Sequence, residues 1–282
     1  MIALFIGLAV AGLGIGILSG LLGVGGGTVM VPLFRLVVGM SPVGSTATSL
    51  FTIIPTSLSG AFSHFRNKTC LVPLGLAMGL GGACTSPVGA WLAQHSPGWA
   101  VMVTSAIAIA YSSGTMLKKA VNAPKTTVAA GASNTGQDTT GGKINERRPL
   151  TDDAPVFGKT QLIQGAGIGL LTGIVSGYIG LGGGFIMVPL MLSLYKMPMK
   201  IASGTSLVAI ILIALPATIL QCWYGNVDYL AGIAIACGSI PGALIGARLA
   251  SKAPERALRF TFAAFLGVAA LLMVLREVGL FG

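Results

Sequence analysis

The chain has 282 residues, of which 54% are apolar and 9% charged, with 42 glycines and a mean hydropathy of +0.87. A soluble domain carries about 25% charged residues, so this composition excludes a cytosolic enzyme, a nucleic-acid binder and a disordered chain. The net charge of +10 is spread between long apolar blocks, which is how a polytopic membrane protein places its basic residues.

Taken in chain order, apolar blocks cover residues 2–22, 28–39, 43–63, 71–93 and 98–117, then 161–179, 185–195, 201–223, 229–249 and 257–275. A helix needs about 20 residues to span the hydrocarbon core, so most blocks qualify. Blocks 28–39 and 185–195 are too short to cross unassisted, and the sequence leaves open whether they cross or turn back at mid-depth. The first block has no basic leader and its apolar run passes residue 30, which argues against a cleaved signal peptide. Residues 118–160 hold four of the seven carboxylates and the run TTVAAGASNTGQDTTGG, the composition of a solvated linker. The expected organisation is therefore a transmembrane repeat at 1–117, a cytoplasmic linker at 118–160 and a second transmembrane repeat at 161–282.

The two sets of blocks repeat each other. SGLLGVGGGTVMVPL at 19–33 and SGYIGLGGGFIMVPL at 176–190 agree at 10 of 15 positions at an offset of 157. The same offset pairs Thr48, Ser49 and Leu50 with Thr205, Ser206 and Leu207, and Gly89-Ala90 with Gly246-Ala247. The basic residues then predict how the halves lie. If every block crosses, five per half invert the second half, and a cytoplasmic linker puts 15 cations inside against Arg35 and Arg276 outside. If each short block fuses with its predecessor, the halves are parallel and the split falls to 10 against 7. Cations are retained on the cytoplasmic side, which favours an all-α polytopic membrane protein of two inverted-topology repeats, each of about five helical segments, with both termini outside.

The runs Gly23-Val24-Gly25-Gly26-Gly27 and Gly180-Leu181-Gly182-Gly183-Gly184 carry the most chemical information. Three adjacent glycines break a helix, and irregular backbone at membrane depth survives only beside protein or a water-filled cavity. The short block that follows each run, with Pro32 or Pro189 inside it, offers unpaired N–H groups and the positive end of its dipole, a seat for an anion. Close helix packing is the competing explanation of the glycines. The hydroxyls of Thr48, Ser49, Thr205 and Ser206 recur in both halves and either complete an anion's shell or cap and bridge helices. Ser45, Thr46 and Ser203 read as caps.

Other features narrow the field. No charged residue falls in the middle of a block, so a carboxylate-based proton relay is not expected. No G-x-x-x-x-G-K-[ST] loop is present and the glycine runs lack the dinucleotide spacing, so no cofactor is expected. Cys70, Cys84, Cys222 and Cys237 form no CxxC pair and no metal-ligand cluster. They read as small residues facing other helices, with a thiol role toward a sulfur-containing substrate as the alternative. His64 and His95 read as interfacial residues, Trp223 and Tyr224 as interface anchors, and Gln221 as a candidate pore-lining residue.

The duplicated G-x-GGG-x4-P segments at 23–32 and 180–189, in a chain of this length, resemble the sulfite exporter TauE/SafE family of membrane transporters. The resemblance spans both halves and leaves out 118–160. It implies transport of a small sulfur-containing anion such as sulfite, sulfoacetate or a related sulfonate, across the cytoplasmic membrane and without enzymatic activity. By the same resemblance Gly23, Gly25, Gly26, Gly27 and Pro32, with Gly180, Gly182, Gly183, Gly184 and Pro189, are the family's motif residues. An anion channel and a thiol-dependent sulfur-delivery subunit are the alternatives. The particular anion, the direction, a coupling ion and assembly into a homo-oligomer are left open by the sequence.

Overall fold

The computed structural model describes residues 2–121 and 159–277. Among the described residues the regular structure is helical: α1 Ile2–Leu22, α2 Gly27–Leu33, α3 Pro42–Arg66, α4 Val72–His95, α5 Gly98–Val121, α6 Lys159–Ile179, α7 Gly184–Leu194, α8 Met199–Trp223, α9 Tyr229–Lys252 and α10 Glu255–Glu277. A wide π turn, Phe34–Val38, extends α2. Most of the expected linker, 122–158, lies outside the described residues. Five helices, within α1, α4, α6, α8 and α9, are long and apolar enough to cross a membrane. By contrast, α3 is rich in hydroxyls. Ser45, Thr46, Thr48, Ser49, Thr52, Thr56 and Ser57 are all buried, and Thr52 and Thr56 donate to the carbonyls of Thr48 and Thr52 one turn back, at 2.8 Å each. Such back-bonding lets a polar helix occupy the middle of a bundle.

Each half packs chiefly on the other. On α1, Gly12 lies against Ile235, Gly16 against Ser239 and Gly20 against Ala243, so α1 and α9 run parallel in backbone contact. The matching pair in the other half does the same, with Gly169 against Met78, Gly173 against Gly82 and Gly177 against Ser86, so α6 lies parallel to α4. Glycine is what permits this approach, because a Cβ at any of these positions would collide with the facing main chain. Helix α3 runs parallel to α9, as Gly232 beside Thr48 and Phe51 and Gly60 beside Ala243 show. At the centre α3 and α8, which correspond at the offset of 157, are antiparallel: Gly204 lies against His64 and Gly60 against Leu207.

These directions resolve the short blocks. Helices α1 and α3 point the same way, with Gly60 close to Gly20 and the His64 ring bonded through Nε2 to Gly20 O at 2.9 Å. The chain after Leu22 must therefore travel back to Pro42, roughly 27 Å at the helical rise. It does so as an unwound glycine stretch followed by α2 and the π turn. The 12-residue block is too short to cross as a helix, and the segment makes the return with the irregular residues 23–26 and 39–41 on either side of it. In the second half α6 and α8 are likewise parallel, and the glycine run with α7 makes the same return.

The two ends of the bundle differ in chemistry. Arg66, Lys68, Lys118, Lys196, Lys200, Arg248, Lys252, Arg256 and Arg259 gather at the end holding the α3–α4 loop and the start of α8. The opposite end carries Trp91, Trp99, Trp223, Tyr224 and Tyr229, of which Trp223 is 87% exposed. His64 departs from the interfacial expectation, since it is fully buried, with Nδ1 2.8 Å from Thr69 Oγ1. His95 is exposed and stacks on Trp91. Cys84 and Cys237 are also corrected: they sit on the exposed faces of α4 and α9 rather than against other helices.

Candidate functional site

The two glycine runs meet in the middle of the bundle. Gly23, Gly25 and Gly26 have φ of 73°, 80° and 79°, and Gly180, Gly182 and Gly183 have 76°, 77° and 77°. This left-handed backbone costs an ordinary residue about 1–2 kcal/mol at each position, so the sequence repeats glycine where the conformation repeats. A Cβ on Gly27 would lie 2.8 Å from Leu181 O, and one on Gly184 would lie 2.6 Å from Gly23 O. Gly25 and Gly182 both rest on the branched tips of Ile53 and Ile210. All ten residues of the two runs are buried.

Gly26 and Gly183 are the N-caps of α2 and α7, and neither cap has a side-chain hydrogen bond. The Gly26 carbonyl accepts from Val29 and Met30, and the Gly183 carbonyl from Ile186 and Met187. The amides of the first turn, at Gly27 and Thr28 and at Gly184 and Phe185, have no acceptor inside their own helix. Beside each cap stands a serine from the preceding helix. Ser19 Cβ is 3.5 Å from where a Gly26 Cβ would be, and Ser176 Oγ is 3.6 Å from the same point on Gly183. Both serines are fully buried. Ser19 Oγ, Ser176 Oγ and the neighbouring Thr28 Oγ1 lack hydrogen-bond partners. Buried hydroxyls are rarely left unpaired, and here they cluster where two helix dipoles begin.

The expected hydroxyls are placed differently. Thr48 Oγ1 accepts from the Asp228 amide and Thr205 Oγ1 from the Leu71 amide, each at 3.0 Å, so this pair fastens the starts of α9 and α4. Ser206 Oγ donates to Gly23 O at 2.7 Å, with Ser203 O also within reach at 2.8 Å. Its counterpart Ser49 Oγ is buried without a partner. Pro32 is buried inside α2. Pro189 lines a cavity of about 520 Å³ between α5, α6 and α7, walled by Ile107, Ile179 and Ile186 with the hydroxyls of Thr104 and Ser112. Gln221 is buried and its Nε2 has no partner, while its Oε1 accepts from Asn226 at 2.8 Å.

Sequence reasoning passed over Ser19, Ser176, Ile53 and Ile210. The signal was present, because each pair is separated by 157 and the serines open the two matching segments. Among the described residues no group of histidine, cysteine or carboxylate side chains has the makings of a metal site. The thiols are unbridged, and burial pushes Cys70, in the α3–α4 loop, up to about 11.

Comparison with known proteins places the fold. The family model described as "Sulfite exporter TauE/SafE" matches residues 8–273. The chain is 29% identical over 252 residues to the probable membrane transporter protein YunE of Bacillus subtilis (strain 168), covering 87% of this chain and 86% of that one. It is 28% identical to YjnA of the same organism, also described as a probable membrane transporter protein, over 93% and 97% of the two chains. An 80-residue stretch is 40% identical to sulfite exporter TauE/SafE family protein 3 of Arabidopsis thaliana, covering 28% of this chain and 16% of that protein. No solved structure matches the chain at a significant level.

Proposed function

Since the chain belongs to the sulfite exporter TauE/SafE family and is a multi-pass membrane transporter, we propose that it carries a small sulfur-containing oxyanion, sulfite or a sulfonate, across the cytoplasmic membrane. The anion is held where α2 and α7 begin. The observation that carries this reading is the pair of fully buried, unpartnered hydroxyls, Ser19 and Ser176, each beside the N-cap glycine of a half-helix. An oxyanion accepts from hydroxyls and from first-turn amides and is favoured by the positive helix ends. The site needs no fixed cation. Its present packing around Ile53 and Ile210 corresponds to an occluded form, which opens by parting the two glycine runs. Thr48 and Thr205 hold the flanking loops in this scheme, and Ser49 and Ser206 border the runs.

The repeats are inverted in this reading, with the linker cytoplasmic and both termini outside. The antiparallel α3 and α8 support it, as do the five traverses per half. The ends of the molecule support it further. All three tryptophans, Trp91, Trp99 and Trp223, correspond at the offset of 157 to Arg248, Arg256 and Arg66. Arginine and lysine mark the cytoplasmic boundary and tryptophan an interface. An inside-negative potential contributes about 2.3 kcal/mol per charge per 100 mV toward anion efflux, so export proceeds without a coupling ion.

The test is electrogenic flux in proteoliposomes with sulfite, thiosulfate, sulfate and a sulfonate. Ser19→Ala and Ser176→Ala remove a hydroxyl without adding bulk, and each is expected to weaken the half-saturating concentration by about tenfold. Wild-type flux of sulfur oxyanions by the double variant would end the proposal.

A further inference from the structure

We propose that a crevice between the ends of α3 and α9 binds the phosphate headgroup of an anionic phospholipid. The crevice is a cavity of about 350 Å³ whose lining includes Arg66, Asn67, Arg248 and Lys252, with Phe62 and Leu244 as its apolar wall. Arg66 and Lys252 are the last residues of their helices, and Arg248 lies one turn before Lys252. Because α3 and α9 run parallel, their C-termini end side by side, and three cations converge on one opening.

The first explanation to weigh is that these cations merely answer the negative ends of two helix dipoles. The molecule contains its own control. Helices α8 and α4 also run parallel and end together, at the opposite end of the bundle. There the positions of Arg66, Asn67, Arg248 and Lys252 are taken by Trp223, Tyr224, Trp91 and His95. The same pair of dipoles is tolerated without a single arginine or lysine, so the dipoles do not require the cations. Retention of positive charge on one side of the membrane accounts for basic residues at this end, but not for their convergence on a cavity that also offers an amide donor.

The ligand chemistry follows from the lining. Arginine forks match phosphate oxygens in pairs, and lysine adds a point charge. Phe62 is 61% exposed and stands one turn nearer the bundle's middle than Arg66, which suits an acyl chain running down the helix from a headgroup held at the rim. Basic pockets between spanning helices on the cytoplasmic side take lipid headgroups in this manner. A free phosphate or sulfonate would use the same cations but would gain nothing from Phe62 and Leu244.

The experiment uses the full chain purified in a non-ionic detergent, with lipid binding read by native mass spectrometry and by thermal midpoint. Phosphatidylglycerol is expected to bind and raise the midpoint, phosphatidylcholine to do neither, and glycerol 3-phosphate to bind at least tenfold more weakly than the lipid. Arg66→Ala and Arg248→Ala should each lower phosphatidylglycerol affinity about tenfold, Arg248→Lys should restore part of it, and Lys118→Ala, at the end of α5, should leave it unchanged. Equal binding of the two lipids, or unaltered binding by both alanine variants, would overturn the proposal. Glycerol 3-phosphate binding as tightly as the lipid would make the crevice a soluble-oxyanion site and overturn the lipid assignment. A variant that elutes as aggregate is replaced by Lys252→Gln, for which the same reduction is expected.

Discussion

The Ser206 hydroxyl donates to the Gly23 carbonyl oxygen at 2.7 Å, a bond that passes from one half of the chain to the other. Ser49 stands at the corresponding place and has no such bond. The two halves repeat in backbone but not in how their hydroxyls are used, and this asymmetry can be measured.

Ser206→Ala leaves Gly23 O without its donor in a dry interior. The expected loss is about 1–2 kcal/mol, seen as a lower thermal midpoint of the purified protein. Ser49→Ala removes no bond and is expected to leave the midpoint within error of the wild type.

The glycine contacts between α1 and α9 make a second comparison possible. Gly16→Ala and Gly238→Ala drive a methyl group into the facing main chain at Ser239 and at Ala9. Each is expected to destabilise by about 1–3 kcal/mol. Gly14 and Gly167 meet nothing within 4 Å, so alanine there should be neutral or stabilising by up to about 1 kcal/mol. Urea or thermal unfolding of the four variants side by side decides the matter.

Lys68 and Lys196 adopt φ of 53° and 48°, and their counterparts Gly225 and Gly39 adopt 70° and 75°. The backbone at these turns favours glycine, yet lysine occupies both of the turns at the basic end. Lys68→Gly should therefore stabilise the fold by about 1 kcal/mol. In the inverted arrangement it should also increase the fraction of wrongly oriented molecules, read by accessibility of tags at either terminus.

The Cys70 thiol, raised to about 11 by desolvation, is protonated at neutral pH. Because the thiolate is the reactive form, alkylation of Cys70 should be slow at pH 7.5 and rise about tenfold per pH unit until pH nears 11. Replacement of Cys70, Cys84, Cys222 and Cys237 by serine should leave anion flux intact, whereas a thiol relay for sulfur would lose it.

Much of this was legible in the sequence, for reasons tied to particular residues. The glycine runs were informative because left-handed backbone admits little else, so Gly23–Gly27 and Gly180–Gly184 announced broken helices. The basic residues announced the two ends because membrane insertion sorts charge. What stayed hidden depends on partners far along the chain. Nothing local to Thr48 says that its oxygen will meet the Asp228 amide, and nothing local to His64 says that Gly20 will bury it. The return made by the 12-residue block was hidden too, because its reach depends on the irregular residues 23–26 and 39–41 that flank it.

The exchange of partners between halves has a consequence for biogenesis. Gly12, Gly16 and Gly20 present a bare main-chain face on which α9 packs, and Ile235 is made about 220 residues after Gly12. At roughly 5–20 residues per second, α1 waits roughly 10–45 s in the lipid before its neighbour arrives. The amino-terminal half is thus unfinished when it leaves the ribosome, and a chain truncated after α5 is material for quality control rather than half a working protein.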